Sequence, residues 1–294
     1  MTIFTGSKVN PIKGYGGANG NKINVMYNNV EYMLKFPPTP ASKARSEESY
    51  TNGCISEYLG CKIFESLGFV TQQTLLGEYV NEKGKKSIVV ACEDFTFPNK
   101  KLIDFIMVKN TCLESSSNGA GTEITTILDA IEEQQFIDPV RLKNFFWEMF
   151  IADALLGNFD RHNGNWGFLV DEAKGSVELA PIYDCGSCLY PQLKDADMSA
   201  ILDNKDEIEQ RVYVFPNSMI KKDGKKINYF DFISSLEYID CTEALVRISK
   251  KIDMAAINSI IDKTPYIGST QKLFYKTMLK ERKEKIIDFS VGKL

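Results

Sequence analysis

The chain has little that would tie it to a membrane, to nucleic acid or to an oxidising compartment. No apolar run among its 294 residues is long enough to cross a bilayer, and the opening Met1-Thr2-Ile3-Phe4-Thr5-Gly6 lacks the apolar stretch of a secretory leader. The expectation is a soluble protein, cytoplasmic as synthesised. Its 35 basic and 39 acidic residues nearly cancel, and a net charge of −4 supplies no field that would gather nucleic acid or an anionic membrane. Neither partner is expected. The seven cysteines are odd in number and scattered through a chain long enough to bury a core without staples, so reduced thiols are expected. Cys185 and Cys188 form a Cys-x-x-Cys, but no second pair at metal spacing exists, and the spacing reads as coincidence.

Internal repeats and low-complexity tracts are also absent. What is present is 44% hydrophobic and 25% charged, the composition of an ordinary globular protein. The character of the chain changes near Phe97-Pro98-Asn99, which divides it into residues 1–97 and 98–294. Before the division, Lys22 to Tyr27 and Val30 to Phe36 read as strands joined by Asn28-Asn29, whose tolerance of positive φ suits a tight hairpin. Phe69 to Val80 and Ser87 to Cys92 follow as further strands around a Gly84 turn, predicting a small antiparallel sheet. Between the two pairs, Ile55, Leu59, Ile63, Phe64 and Leu67 recur at helical spacing and Gly68 offers a stop.

After the division helical patterns dominate. Asp138-Pro139 supplies an N-cap and first helical residue, and Leu142, Phe145, Phe146, Met149, Phe150 and Asp153 follow up to Gly157. Trp166 to Val170 and Val177 to Ile182 read as strands, and Asp223-Gly224 as a hairpin turn. Leu273 to Phe289 carries Lys276, Lys280, Arg282, Lys283 and Lys285, either a solvated helix face or a basic interaction surface. Ser115-Ser116-Ser117-Asn118-Gly119 reads as a surface loop.

The most informative segment is Gly157-Asn158-Phe159-Asp160-Arg161-His162-Asn163-Gly164-Asn165-Trp166, a polar loop between a long helix and an apolar strand. Asp160 and Asn165 stand at the spacing of the Asp and Asn in protein-kinase catalytic loops. That pair alone arises by chance about once in a chain of this length, whereas the full Asp-Arg-His-x-x-Asn pattern is expected on the order of once per thousand chains. A capped polar turn is the plain alternative. Farther on, Asp184-Cys185-Gly186 follows an apolar approach and stands where kinases place Asp-Phe-Gly. Phosphoryl transfer needs positioning and charge neutralisation more than covalent chemistry. Asp160 suits the role of orienting a hydroxyl and accepting its proton, while Asn165 and Asp184 suit Mg²⁺. His162 belongs with Asp160 and Asn165 in the catalytic loop, as a brace and not as the base.

Upstream, the glycine-rich run Gly14 to Lys22 offers backbone amides for phosphate oxygens through Gly16, Gly17, Ala18, Asn19 and Gly20, with Lys22 at its end. A flexible leader would look similar. Lys35, in the apolar strand Tyr32-Met33-Leu34-Lys35-Phe36, asks for an anion, either a phosphate of ATP or Glu57 on the following helix. An exposed edge lysine and a solvated glutamate are the bland reading. Glu93 and Phe95 lie where a kinase hinge would hydrogen-bond adenine through its backbone.

Together the glycine loop, Lys35, Glu57, Asp160-Arg161-His162-x-x-Asn165 and Asp184 resemble the HipA-like kinases, bacterial serine/threonine kinases related in fold to phosphatidylinositol kinases. The specific part is residues 157–186. The resemblance implies an α+β, two-lobed protein-kinase-like fold with a small β-rich N-lobe and a larger, mainly helical C-lobe. It also implies ATP and Mg²⁺ as cofactors, transfer to serine or threonine of a protein substrate, and autophosphorylation. Two family features are not carried over. The glycine loop begins within the first twenty residues, with no extra domain before it, which puts an antitoxin partner in doubt. The loop also contains no serine, the nearest being Ser7, so self-inactivation by phosphorylation there is not expected. A lipid or small-molecule kinase would use the same catalytic residues, and a catalytically silent nucleotide-binding protein would retain them without transfer.

Overall fold

The computed structural model describes residues 2–10, 22–37, 51–96, 99–112 and 119–294. Its first part contains β1 (Thr2–Ile3), β2 (Lys8–Val9), β3 (Lys22–Tyr27), β4 (Val30–Lys35), α1 (Gly53–Ser66), β5 (Thr74–Val80) and β6 (Lys86–Glu93). The strands form one sheet in the order β1-β5-β6-β4-β3-β2, and α1 packs on it. Asn28 and Asn29, at φ of 49° and 63°, close the β3–β4 hairpin with the primed turn that matches strand twist. The resulting register sets Lys22 opposite Lys35.

Strand alternation then sorts side chains by face. On one face Val25, Tyr32, Leu34, Val89 and Ala91 bury against Phe4, a small core of their own. On the other, Leu76, Val90 and Cys92 join Ile55, Leu59, Ile63 and Phe64 of α1 in the main core. Two departures from the expected antiparallel sheet have local causes. β1 pairs with β5 in parallel, seated by Phe4, whose N–H donates to Glu78 at 2.9 Å and whose ring meets Tyr27 edge-on. The strand expected from Phe69 begins only at Thr74, because Val70 and Gln72 instead bond the backbone of Ile182 at 2.8 and 2.9 Å.

The second part begins with β7 (Lys100–Asp104), α2 (Phe105–Cys112), α3 (Ile124–Glu133) and α4 (Pro139–Leu156), followed by β8 (Gly167–Asp171) and β9 (Ser176–Leu179). β7, β8 and β9 form a three-stranded sheet. The Asp138 carboxylate caps α4 by accepting from Arg141 N–H at 2.9 Å, with Pro139 at the first position, and Gly157 ends the helix at φ 63°. Next come α5 (Asp195–Leu202), α6 (Lys205–Tyr213), the hairpin β10 (Asn217–Lys222) and β11 (Lys225–Asn228), and then α7 (Tyr229–Ser235), α8 (Ile239–Ser249), α9 (Met254–Lys263) and α10 (Ser269–Arg282). Phe97 and Pro98, the expected junction, and Ser115 to Asn118 lie outside the described residues. Helices α1 and α4 share the main core, so it runs beneath both parts without a break.

The C-terminal lysines are neutralised. Lys276 pairs with Asp262 at 2.6 Å, Lys283 with Asp288 at 2.6 Å and Lys285 with Glu281 at 2.8 Å, while Arg282 is buried. This face is solvated and compensated, the bland reading of its sequence. All seven cysteines are free, and among the described residues no helix is long and apolar enough to cross a membrane.

Candidate active site

The loop after α4 is held by its own polar residues. Arg161, only 2% exposed, donates Nε to Asp153 Oδ2 at 3.0 Å and Nη2 to Asp153 Oδ1 at 3.3 Å. Its Nη1 reaches Asn165 O at 2.9 Å and Tyr183 O at 2.7 Å. One guanidinium thus joins the end of α4, the far end of the loop and the residue preceding Asp184. Burial alone would lower the Arg161 pKa, but the charge and hydrogen bond of Asp153 together with Cys185 and Cys188 more than offset it and hold the side chain ionised. Asn158 donates to Asp153 Oδ1 at 2.7 Å and accepts from Asp160 N–H at 3.1 Å. Asn163 donates to Gly119 O and Gly121 O, both at 2.9 Å. His162 Nδ1 accepts from Gly164 N–H at 3.0 Å, the bracing expected of it.

These bonds leave two groups uncommitted. Among the described residues the Asp160 carboxylate accepts no hydrogen bond, and Asn165 donates its Nδ2 to Asp160 O at 2.9 Å while its Oδ1 has no donor. Burial raises the Asp160 pKa; His162 opposes that shift and the like charge of Asp184 adds to it. A carboxylate raised in this way and free of partners is suited to receive a proton.

Lys35 Nζ lies 2.8 Å from Glu57 Oε2 and 2.8 Å from Asp184 Oδ1. Three separate stretches of chain therefore meet at one ammonium group. Burial pushes Lys35 down, and the two carboxylates more than offset it, so its pKa is raised well above the ordinary value. Lys35, aided by its hydrogen bond, holds Asp184 down to about 2 against the effect of burial. The two acids differ in surroundings: the Glu57 side chain is 1% exposed and that of Asp184 45%. Glu57 is also fixed by Cys185 N–H at 3.2 Å. Gly60 permits this close docking of α1, since a Cβ there would lie 2.6 Å from Cys185 Cβ. Asp184 itself sits at φ 54°, in the left-handed region that non-glycine residues seldom adopt.

Lys22 borders the same group. Burial and the like charge of Lys35 lower its pKa, and Asp184 and Glu57 oppose this. Gly16, Gly17, Ala18, Asn19 and Gly20 lie outside the described residues. At the expected hinge, Glu93 N–H is engaged by Gln73 O at 2.8 Å and Glu93 O by Gln72 Nε2 at 2.9 Å, because Glu93 still belongs to β6. Phe95 lies beyond the strand, with its ring 5.8 Å from that of Tyr183.

Magnesium fits the donors present. An ionised carboxylate and an uncommitted amide oxygen are hard ligands, and Mg²⁺ bound with nucleotide takes few protein ligands and several phosphate or water oxygens. Among the described residues no group of three or more His, Cys, Asp or Glu is placed to hold a metal ion by itself.

Asp153 is a structural partner that helical periodicity alone does not single out. Its signal was an acidic residue inside the apolar run Phe150-Ile151-Ala152-Asp153-Ala154-Leu155-Leu156, near a helix C-terminus where a negative charge is disfavoured. Such a residue asks for a buried cation.

Residues 15–228 match the HipA-like C-terminal domain. The chain is 54% identical over 286 residues to a serine/threonine-protein kinase, CtkA, of Helicobacter pylori strain J99, covering 97% of this chain and 86% of that protein. It superposes on the crystal structure of an H. pylori proinflammatory kinase CtkA with a TM-score of 0.92, at 52% identity over 99% of this chain and 96% of the other. A Shewanella oneidensis HipA, solved with HipB and operator DNA, superposes with a TM-score of 0.60 at 16% identity over 97% of this chain and 69% of the other, a likeness of fold alone.

Proposed function

The chain belongs to the HipA-like C-terminal domain family and is a serine/threonine protein kinase; on that premise we propose that it transfers the γ-phosphate of Mg-ATP to a protein hydroxyl, with Asp160, Asn165, Asp184 and Lys35 as its working residues. The observation that carries this assignment is the convergence of Lys35, Glu57 and Asp184, joined through Arg161 to the loop of the uncommitted Asp160 and Asn165. Residues 1–97 act as the nucleotide-side lobe and 98–294 as the acceptor-side lobe.

In this reading Lys35 shifts its charge from Asp184 to the phosphates of ATP while Glu57 keeps it in place. Lys22 serves the phosphates, the role expected from the sequence of Gly16 to Gly20 also, and Phe95, with the neighbouring Glu93 strand end, borders the adenine. Asn165 Oδ1 and Asp184 hold magnesium, which when bound neutralises charge on the phosphate oxygens. Asp160 orients the acceptor hydroxyl and takes its proton as the oxygen bonds to the γ-phosphorus and the bond to the β-phosphate oxygen breaks, releasing ADP. A loose transition state asks only modest basicity of this group. The protein's own hydroxyls are among the acceptors.

Transfer of labelled γ-phosphate to the protein itself, and to one acidic and one basic generic protein, tests the assignment with Mg²⁺ present or chelated. Label that depends on Mg²⁺ and is lost in both Asp160→Ala and Asp184→Ala is expected. Nucleotide binding with no transfer to any acceptor would sink it.

A further inference from the structure

Arg282 differs from the lysines around it on α10. Its side chain is 1% exposed, and among the described residues no carboxylate lies at ion-pair distance from it. A buried guanidinium without an acid is costly unless oxygen acceptors receive its protons. Two carbonyls take that role: Nε donates to Ala154 O at 2.7 Å and Nη1 to Arg211 O, on α6, at 2.5 Å. Ala154 lies in the last turn of α4, where carbonyls run out of helical partners. Asn158 N–H, which would continue the helix by bonding Ala154 O, goes to Asp153 O at 2.9 Å instead. Arg282 thus brings both a donor and a positive charge to the negative end of the α4 dipole.

The same guanidinium backs a second contact with the loop. Tyr229, whose ring centre lies 5.8 Å from the Arg282 guanidinium carbon, donates its hydroxyl to Asn158 O at 2.6 Å. Tyr229 is itself fixed as the first residue of α7. The Asn228 side chain caps that helix by accepting from Asp231 N–H at 3.0 Å, and ties it to α6 by donating to Tyr213 O at 2.8 Å. Asn158 passes the constraint on, because its Oδ1 accepts from Asp160 N–H at 3.1 Å and its Nδ2 donates to Asp153 Oδ1 at 2.7 Å. Each polar group of Asn158 is thereby engaged. Gly157 leaves room for this approach, since a Cβ there would lie 3.2 Å from Pro216 Cγ and 3.7 Å from Arg282 Nε.

We propose that Tyr229 and Arg282 are positioning residues for Asp160, which they set in place through Asn158 and the end of α4. The inference rests on the kinase assignment above and adds to it two residues contributed by α7 and α10. None of these bonds goes to Lys35, Glu57 or Asp184, so loosening them should slow the chemistry and spare nucleotide binding.

Tyr229→Phe removes one hydroxyl and keeps the ring. In phosphate transfer to the same generic acceptors, its kcat is expected to fall about tenfold with KM for ATP unchanged. Amide hydrogen exchange at Asp160, followed in the same variant, should quicken by about tenfold. Ile261→Val, in α9, which carries none of these residues, reports what a loss of core packing does by itself and should leave kcat and this amide unchanged. Arg282→Lys, which keeps the charge but cannot bond both carbonyls as a fork does, should lose less kcat than Arg282→Met, and it replaces Tyr229→Phe if that variant does not fold. An unchanged kcat or an unchanged amide in Tyr229→Phe, a fall in kcat accompanied by a matching loss of ATP affinity, or the same fall in Ile261→Val overturns the proposal. Quickened exchange at Asp160 in a protein whose wild type transfers no phosphate would sink the kinase assignment and leave the bracing standing; normal transfer by wild type, with kcat and exchange unmoved in the variant, does the reverse.

Discussion

Lys35 and Arg161 are both cations held by carboxylates, yet one is built to stay and the other to move. Arg161 is buried within the second part of the chain, and its bonds go to Asp153 and to backbone carbonyls, all of which are permanent neighbours. Lys35 divides its charge between Glu57, which is buried, and Asp184, whose side chain is half-exposed. The planar guanidinium satisfies several fixed acceptors at once, while an ammonium on a flexible stem can pass from one anion to another. The proposed site thus holds a rivet for the loop after α4 and a charge that a phosphate can claim.

The sharpest way to break this comparison is Arg161→Met. Removing one partner of a buried pair leaves an uncompensated carboxylate at Asp153, and a loss of about 3–5 kcal/mol in urea unfolding is expected. An unchanged melt would mean that Arg161 is no rivet. Lys35→Met should do the opposite, lowering kcat/KM by about a hundredfold to a thousandfold with the fold retained, as measured by steady-state phosphate transfer beside circular dichroism. Loss of fold at Lys35, or full activity without it, would erase the distinction.

The smallest effect sharpens the comparison through pH. Asp184 is held at about 2 in the folded protein against an ordinary 3.8, so its pairing stabilises the fold above about pH 4 and the contribution is lost as pH falls through 2. Because this side chain is 45% exposed, solvent screening keeps the contribution to about 1 kcal/mol or less. Unfolding of wild type and Asp184→Asn compared from pH 6 to pH 2 should show a constant gap that closes in that acid window. A gap that widens toward acid would contradict the assigned pairing.

Much of this was legible along the chain because it is local. Asn28-Asn29 specifies its hairpin, Asp138-Pro139 starts α4 and Gly157 ends it, through preferences that act within a few residues. The Asp160 to Asn165 pattern was equally readable, since the loop's own side chains supply most of its bonds. The parallel seating of β1 on β5 was not, because two residues carry no periodicity and Phe4 decides the pairing by burial. Nor was the engagement of Glu93, which depends on Gln72 and Gln73 arriving beside β6.

By itself the sequence determined the hairpin at Asn28-Asn29, the bounds of α4 and a polar loop whose residue types suit phosphoryl transfer, because torsional preference and side-chain type are properties of short stretches. Only the tertiary structure decided which charges are spoken for. The lysines of α10 and of the helical residues 283–288 after it read as a basic surface and are neutralised by Asp262, Glu281 and Asp288, whereas on the β10–β11 hairpin, which reads as an ordinary turn, Lys225 and Lys226 are exposed with no carboxylate at ion-pair distance among the described residues. The Coulomb energy of a charge depends on what lies within a few ångströms of it, and distance in space is what folding sets.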